Sequence, residues 1–427
     1  MTKEKLLLII NDKKKKNFFI YGIGQAFNLL SPLIVAPYVI SICKEQGLGK
    51  VGMGFALAMF LILIVEYAFD IKGTKQAAES RDSKEALEHL LNITIFTKLF
   101  LFIIAFFIGL LFILLIPFFY QEKTLFFFSL AIVLAQALNP AWFLQGIENF
   151  VWVTAINISS KIFYLLLVFC FISFKQDYIY VNLFLGLSAL VCNVAGLFLI
   201  KFKYNYKIIF PKTPEVVGIL KRDFSFSVSQ LFLSVRELSP LILTGYFLGY
   251  FYAGQYKIIE NIITLIRTFL LVFLKFFYPS LCYKILTDLK EGFAFWKKYT
   301  LLCFSMVLTG VSFAIVYAPE ILTFFNAQPA SVASLTFVFR SSLAISLLMA
   351  VNLPLEQLMV ALNKNKIYIK IVIFVTVANL LLLVYAIKNY ALIGIVVALI
   401  ISEMIFAVLY FKNAFLDVQN RTTQIVK

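Results

Sequence analysis

The sequence predicts an all-α integral membrane protein with about twelve transmembrane helices, and composition, apolar run length and loop charge all point the same way. Of its 427 residues, 62% are hydrophobic and 14% are charged, and the mean hydropathy is +0.93. Soluble domains carry roughly 25% charged residues. A chain this poor in charge cannot cover a water-facing surface, so its apolar surplus faces lipid. Crossing the hydrocarbon core takes about 20 apolar residues in helical form. Runs of that kind lie at 17–40, 49–69, 93–119, 124–145, 151–174, 178–200, 224–248, 250–283, 300–318, 333–360, 367–387 and 391–411.

Loop charge sets the orientation. With the N-terminus inside, the inner segments hold 26 of the 38 Lys and Arg residues and the outer loops hold 5. The positive-inside rule then places both termini in the cytoplasm. A net charge of +16 invites comparison with nucleic-acid binders. Here the basic residues sit in short loops between apolar runs, and no basic, aromatic soluble module exists, so no nucleic-acid partner is expected. The five cysteines form no CxxC pair and the single histidine, His89, leaves no metal or triad framework. No metal and no cofactor are expected. The polar stretch Thr74 to His89 reads as a short cytoplasmic helix.

An internal repeat suggests two halves. Leu30-Ser31-Pro32-Leu33-Ile34 recurs as Leu238-Ser239-Pro240-Leu241-Ile242, in the first span of each six-span half. Like-oriented halves imply a pseudo-two-fold axis along the membrane normal. The division falls in the basic linker, giving lobes 1–205 and 206–427. Pro32 and Pro240 bend their helices and are candidate hinges, with plain packing kinks as the alternative.

Ionisable residues at membrane depth usually face the protein interior or a wet cavity. The eighth span carries Lys257, Glu260, Arg267 and Lys275 on one stripe, and Arg236 and Arg340 lie on the seventh and tenth spans. Arg236, Lys257, Arg267, Lys275 and Arg340 are therefore candidates for a cationic lumen that holds an anionic substrate. Neutralisation of Lys257 by Glu260 is the competing account. Glu66, Glu237, Glu260 and Glu356 are candidates for coupling to H+ or Na+. For Glu66 and Asp70, pairing with Lys72 or Lys75 is the simpler reading.

The segment Asn139 to Glu148 contains Pro140, Trp142, Gln145, Gly146 and Glu148 in the spacing Pro-x-Trp-x-x-Gln-Gly-x-Glu. It resembles the signature of Wzx-type O-antigen and polysaccharide flippases, within the multidrug/oligosaccharidyl-lipid/polysaccharide exporter superfamily. Tyr252 to Lys257 and Phe277 to Ser280 are similar to further segments of that family. Gly146 suits a tight turn and Trp142 suits a membrane interface. The resemblance implies two six-helix lobes around a central cavity in the bacterial inner membrane. It also implies a substrate, an undecaprenyl-pyrophosphate-linked oligosaccharide moved from the cytoplasmic to the periplasmic leaflet, with membrane lipids and glycan polymerase or assembly proteins as partners. A drug exporter of the same superfamily is one alternative. A membrane polysaccharide polymerase or ligase is another, but the outer loops are short and hold few acids. No nucleotide-binding loop is present.

Overall fold

In lipid a backbone group has no water to bond, so an apolar chain must satisfy itself by helix formation. A computed structural model describes residues 13–207, 209–362 and 364–425, and the described residues are overwhelmingly helical. In chain order the helices are α1 Lys13–Glu66, α2 Thr74–Glu79, α3 Lys84–Leu115, α4 Pro117–Tyr120, α5 Lys123–Ala137, α6 Ala141–Gly146 and α7 Phe150–Phe171. There follow α8 Tyr178–Tyr204, α9 Thr213–Leu248, α10 Tyr250–Thr287, α11 Leu289–Val316, α12 Ala318–Phe324, α13 Pro329–Ala361 and α14 Asn365–Ile425. A π-helical turn, Phe69–Gly73, links α1 to α2.

Among the described residues, eight helical stretches are long and apolar enough to cross a membrane. Two of these, α1 and α14, are each broken by one non-helical residue, Lys44 (φ 63°) and Ala391 (φ 49°), and so hold two passages apiece. Helices α9 and α10, of 36 and 38 residues, are also long enough to cross, with charges interrupting their apolar runs. Together these give the expected number of about twelve. The polar stretch after the second passage differs from the expected single helix. It is divided by a turn at Ser80–Ser83, where the Ser83 hydroxyl caps α3 by accepting from the Ala86 amide at 3.3 Å.

The chain divides into two compact units, Met1–Cys43 with Lys50–Ser234, and Lys44–Gly49 with Val235–Lys427. The sequence reading divides the chain at 205/206, where Asn205 in a left-handed conformation ends α8.

Unit 1 is fastened by polar side chains inside an apolar bundle. The Asn182 amide donates to Val51 O and Ser129 Oγ, both at 2.9 Å, and Asn193 donates to Ala135 O at 2.7 Å. Lys98, fully buried, reaches Glu66 at 3.1 Å, and Gln136 donates to the same carboxylate oxygen at 2.5 Å. The sequence reading paired Glu66 with Lys72 or Lys75. Those lysines instead meet Asp223 at 2.6 Å and Glu79 at 3.7 Å, because α3 brings Lys98 against Glu66 first. Burial works against the charge of Asp223, yet hydrogen bonds from Arg222 and Lys72 hold its carboxyl below the usual carboxylate range.

Unit 2 contains a close crossing. A Cβ at Gly49 would fall 1.8 Å from Tyr250 O, and one at Gly254 would fall 1.9 Å from Glu45 O. Two helices touch backbone to backbone there, which only glycine permits. Beside the crossing Glu45, fully buried, accepts from Gln255 Nε2 at 3.0 Å, Gln328 N at 2.7 Å and Ser331 Oγ at 3.3 Å.

Two outcomes check this packing by the yield of folded protein and its thermal midpoint in detergent. Gly254→Ala forces backbone apart and lowers stability by about 1–3 kcal/mol or more. Lys98→Met leaves Glu66 charged without a cation and costs about 3–5 kcal/mol, most of which Glu66→Gln in the same chain restores.

Candidate functional site

The sequence motif around Trp142 builds a structural joint within unit 1. Pro140 caps α6, and Asn139 Oδ1 accepts from Ala141 N at 2.9 Å. Trp142 is 2% exposed and packs on Gly73, where a Cβ would fall 3.0 Å from the indole. Trp142 thus faces protein, with α6 folded inward against the turn after the second passage. A Cβ at Gly146 would fall 2.5 Å from the Ala77 methyl and 2.7 Å from Thr74 O, so glycine is required for contact with α2. Thr74 Oγ1 donates to Trp142 O at 3.1 Å and Arg81 to Gly146 O at 3.2 Å. Glu148 takes a left-handed backbone (φ 57°) and pairs with Arg81 at 3.2 Å. Gln145 is half-buried on the same short helix.

Unit 2 gathers most of the intramembrane charge around one cavity of about 120 Å³. Helix α9 contributes Arg236, Glu237 and Pro240; α10 contributes Glu260 and Arg267; α13 contributes Asn352 and Glu356; α14 contributes Glu403 and Tyr410. Each element presents charge here because its other faces meet apolar neighbours or lipid, where an ionised group is costly.

The charges come in pairs. Arg236 donates to Glu403, which is 4% exposed, and the guanidinium lies 4.1 Å from the centre of the Phe406 ring. Glu403 Oε2 also accepts from Asn352 Nδ2 at 2.6 Å. Arg267 donates to Glu237, one helix back. Lys257 meets Glu260 at 2.6 Å on α10 itself. Glu356 accepts from the Tyr368 hydroxyl at 2.6 Å. Arginine's planar fork is apt for such ties, since it can release a carboxylate oxygen and take a phosphate oxygen in the same geometry.

Of the cations proposed from sequence, Arg236 and Arg267 line this cavity. Lys257 stands next to it, bound to the lining residue Glu260. Lys275 and Arg340 lie elsewhere: Lys275 is exposed farther along α10, and Arg340 is exposed with its Nε donating to Ile315 O at 3.0 Å. Of the acids, Glu237, Glu260 and Glu356 line the cavity, and Glu66 belongs to the Lys98 cluster of unit 1. Pro240 is buried on the cavity wall and Pro32 is exposed within α1. Asn352 was not among the sequence candidates, and Glu403, an ionisable residue at membrane depth that the sequence itself singles out, carried no assigned role there. Among the described residues no group of His, Cys, Asp and Glu is arranged to hold a metal ion.

Comparison with known proteins bears on the family. Residues 15–282 match the family described as polysaccharide biosynthesis protein. The chain is 22% identical over 369 residues to a candidate O-antigen transporter of Escherichia coli (strain K12), covering 86% of this chain and 89% of that one. It is 25% identical over 248 residues to a candidate O-antigen transporter of Shigella dysenteriae, covering 57% of this chain and 60% of that one. A superfamily transporter from Pyrococcus furiosus superposes with a TM-score of 0.58 at 15% identity, over 98% of this chain and 99% of that one. An outward-facing multidrug resistance MATE family transporter of the same superfamily gives 0.56 at 16% identity, over 99% and 100%. A multi-pass helical membrane protein with this signature at Pro140–Glu148 and this family match over more than half of its length belongs to the polysaccharide biosynthesis protein family, and its fold is that of the superfamily transporters it superposes on.

Proposed function

We propose that the protein is a flippase for an undecaprenyl-pyrophosphate-linked oligosaccharide, moving it from the cytoplasmic to the periplasmic leaflet of the bacterial inner membrane. The observation that carries this reading is the pair of arginines, Arg236 and Arg267, held by exchangeable glutamates on the wall of one cavity at membrane depth. A phosphate of the substrate replaces Glu403 or Glu237 as their partner. Sugar hydroxyls meet the remaining carboxylates, Asn352 and Tyr410. Transport proceeds by alternating access, with no chemical step, while the polyprenyl tail stays in the bilayer.

The charge balance shapes the mechanism. Arg236, Lys257 and Arg267 face Glu237, Glu260, Glu356 and Glu403, so the site becomes neutral when one acid is neutralised and cationic when two are. Uptake of H+ or Na+ at Glu237 frees Arg267 for the pyrophosphate, uptake at Glu260 or Glu356 lowers the negative charge beside it, and loss of the ion returns the pair and expels the substrate. Lys275 and Arg340, outside the cavity, act on the approaching headgroup rather than in the pocket.

A second reading, a small-molecule exporter, draws on the four acids at the cavity against two lining arginines, a balance suited to an organic cation. A binding comparison of lipid-pyrophosphate sugar with cationic drugs separates the two. Preference for the drugs would remove the flippase assignment.

The direct test is genetic. Deletion should accumulate undecaprenyl-linked glycan on the cytoplasmic side and deplete surface glycan. Normal surface glycan without accumulation would sink the proposal. At residue level, Arg267→Ala should cut surface glycan at least tenfold at unchanged protein level, since Glu237 is half exposed and tolerates the loss. Arg236→Ala should also destabilise the fold, by about 3–5 kcal/mol, because buried Glu403 loses its cation. Arg236→Met with Glu403→Met should restore folded protein but not transport.

A further inference from the structure

Unit 1 holds a second recess, of about 290 Å³, between α3 and α8. Its walls are apolar, formed by Leu91, Ile95, Leu99, Val194 and Leu197. Asn92 is polar but its amide is fully used. Asn92 Nδ2 donates to Glu88 O at 2.9 Å and Lys207 O at 2.8 Å, and its Oδ1 accepts from Ile209 N at 3.3 Å. Those bonds tie the chain after α8 across one end of the recess. Tyr206 is thereby buried, stacked on Tyr204 at 5.6 Å, and Lys207 is left exposed beside Lys201 at the same end.

Among the described residues neither the Lys201 nor the Lys207 ammonium has an acid within ion-pair distance. The nearby carboxylate, Glu88, is engaged by the Lys207 backbone N–H at 3.1 Å. The neighbouring Lys203 is placed otherwise, over the Trp152 and Tyr204 rings. An apolar trough that ends in two unpaired cations matches a molecule with a long apolar tail and an anionic head. A sugar would need polar walls, and a free anion would need no trough.

We propose that this recess binds an anionic phospholipid of the surrounding membrane, with an acyl chain between α3 and α8 and the headgroup phosphate between Lys201 and Lys207. The site is separate from the unit 2 cavity and does not rest on the flippase reading. A lysine near an anionic headgroup contributes about a five- to sixfold gain in binding, so two give about thirtyfold.

The test is native mass spectrometry of the full chain in detergent, titrated with phosphatidylglycerol or with phosphatidylcholine of the same acyl chains. The expected result is retention of phosphatidylglycerol over phosphatidylcholine. Lys201→Ser with Lys207→Ser should lose about thirtyfold of that preference, and Lys201→Arg with Lys207→Arg should keep it. Leu99→Trp, which fills the trough, should displace the lipid while leaving the lysines in place. Equal retention of the two lipids, or an unchanged preference in the serine variant, would overturn the proposal. So would competition by soluble glycerol phosphate, which marks a simple anion site, or stronger retention of undecaprenyl phosphate, which marks a substrate site.

Discussion

An ionised side chain inside the hydrocarbon layer must find its counter-charge within the protein, and this constraint organises the molecule. The cost of leaving one alone is about 2.5–3.5 kcal/mol by insertion scales, a large share of the 5–15 kcal/mol that usually holds a fold. Lys98 with Glu66, Arg236 with Glu403, and Arg267 with Glu237 each join different helices or passages. Lipid tails are as apolar as leucine, so burial of apolar surface alone hardly distinguishes one face of a membrane helix from another. Ion pairs and amide bonds such as Asn182 to Ser129 do distinguish faces, and they fix the rotation of each helix about its axis.

On the proposed reading the same pairs tie structure to transport. Arg236 and Glu403 stabilise each other, and a substrate phosphate would enter that arrangement. A substrate that takes one partner leaves the other exposed to the cost that held the pair together. The unpaired glutamate then needs a cation or a proton. On the proposed flippase reading, coupling of substrate binding to ion uptake would follow from electroneutrality in a low-dielectric cavity, with no need for a distant relay.

Much of the fold was legible in the sequence because a membrane helix announces itself over about twenty residues. The long eighth span appears as α10, and the end of the sixth appears at Asn205. The joins were less legible. Lys44 and Ala391 are the sites of sharp breaks, yet neither is a glycine or proline, and only the surrounding packing selects them. The partners were the least legible part. Arg267 has no acid one turn away on its own helix, and its glutamate lies thirty residues earlier in sequence. Arg236 and Glu403 are 167 residues apart. Spacing along one helix finds Lys257 and Glu260, but pairs between helices depend on a fold that periodicity does not encode. The motif at Trp142 identified the family well, but its physical role is a tight inward fold of α6 at Gly73 and Gly146.

Glu45 differs from most of the other enclosed acids. Its partners are an amide, a backbone N–H and a hydroxyl, all neutral, whereas Glu237, Glu260 and Glu403 of the cavity are each met by a cation. Dissolved ions shield interactions between exposed full charges, and they barely touch hydrogen bonds inside a dry enclosure. The crossing at Gly49 and Gly254 is therefore indifferent to the ionic strength of the surrounding solution, while exposed pairs such as Lys75 with Glu79 weaken as it rises.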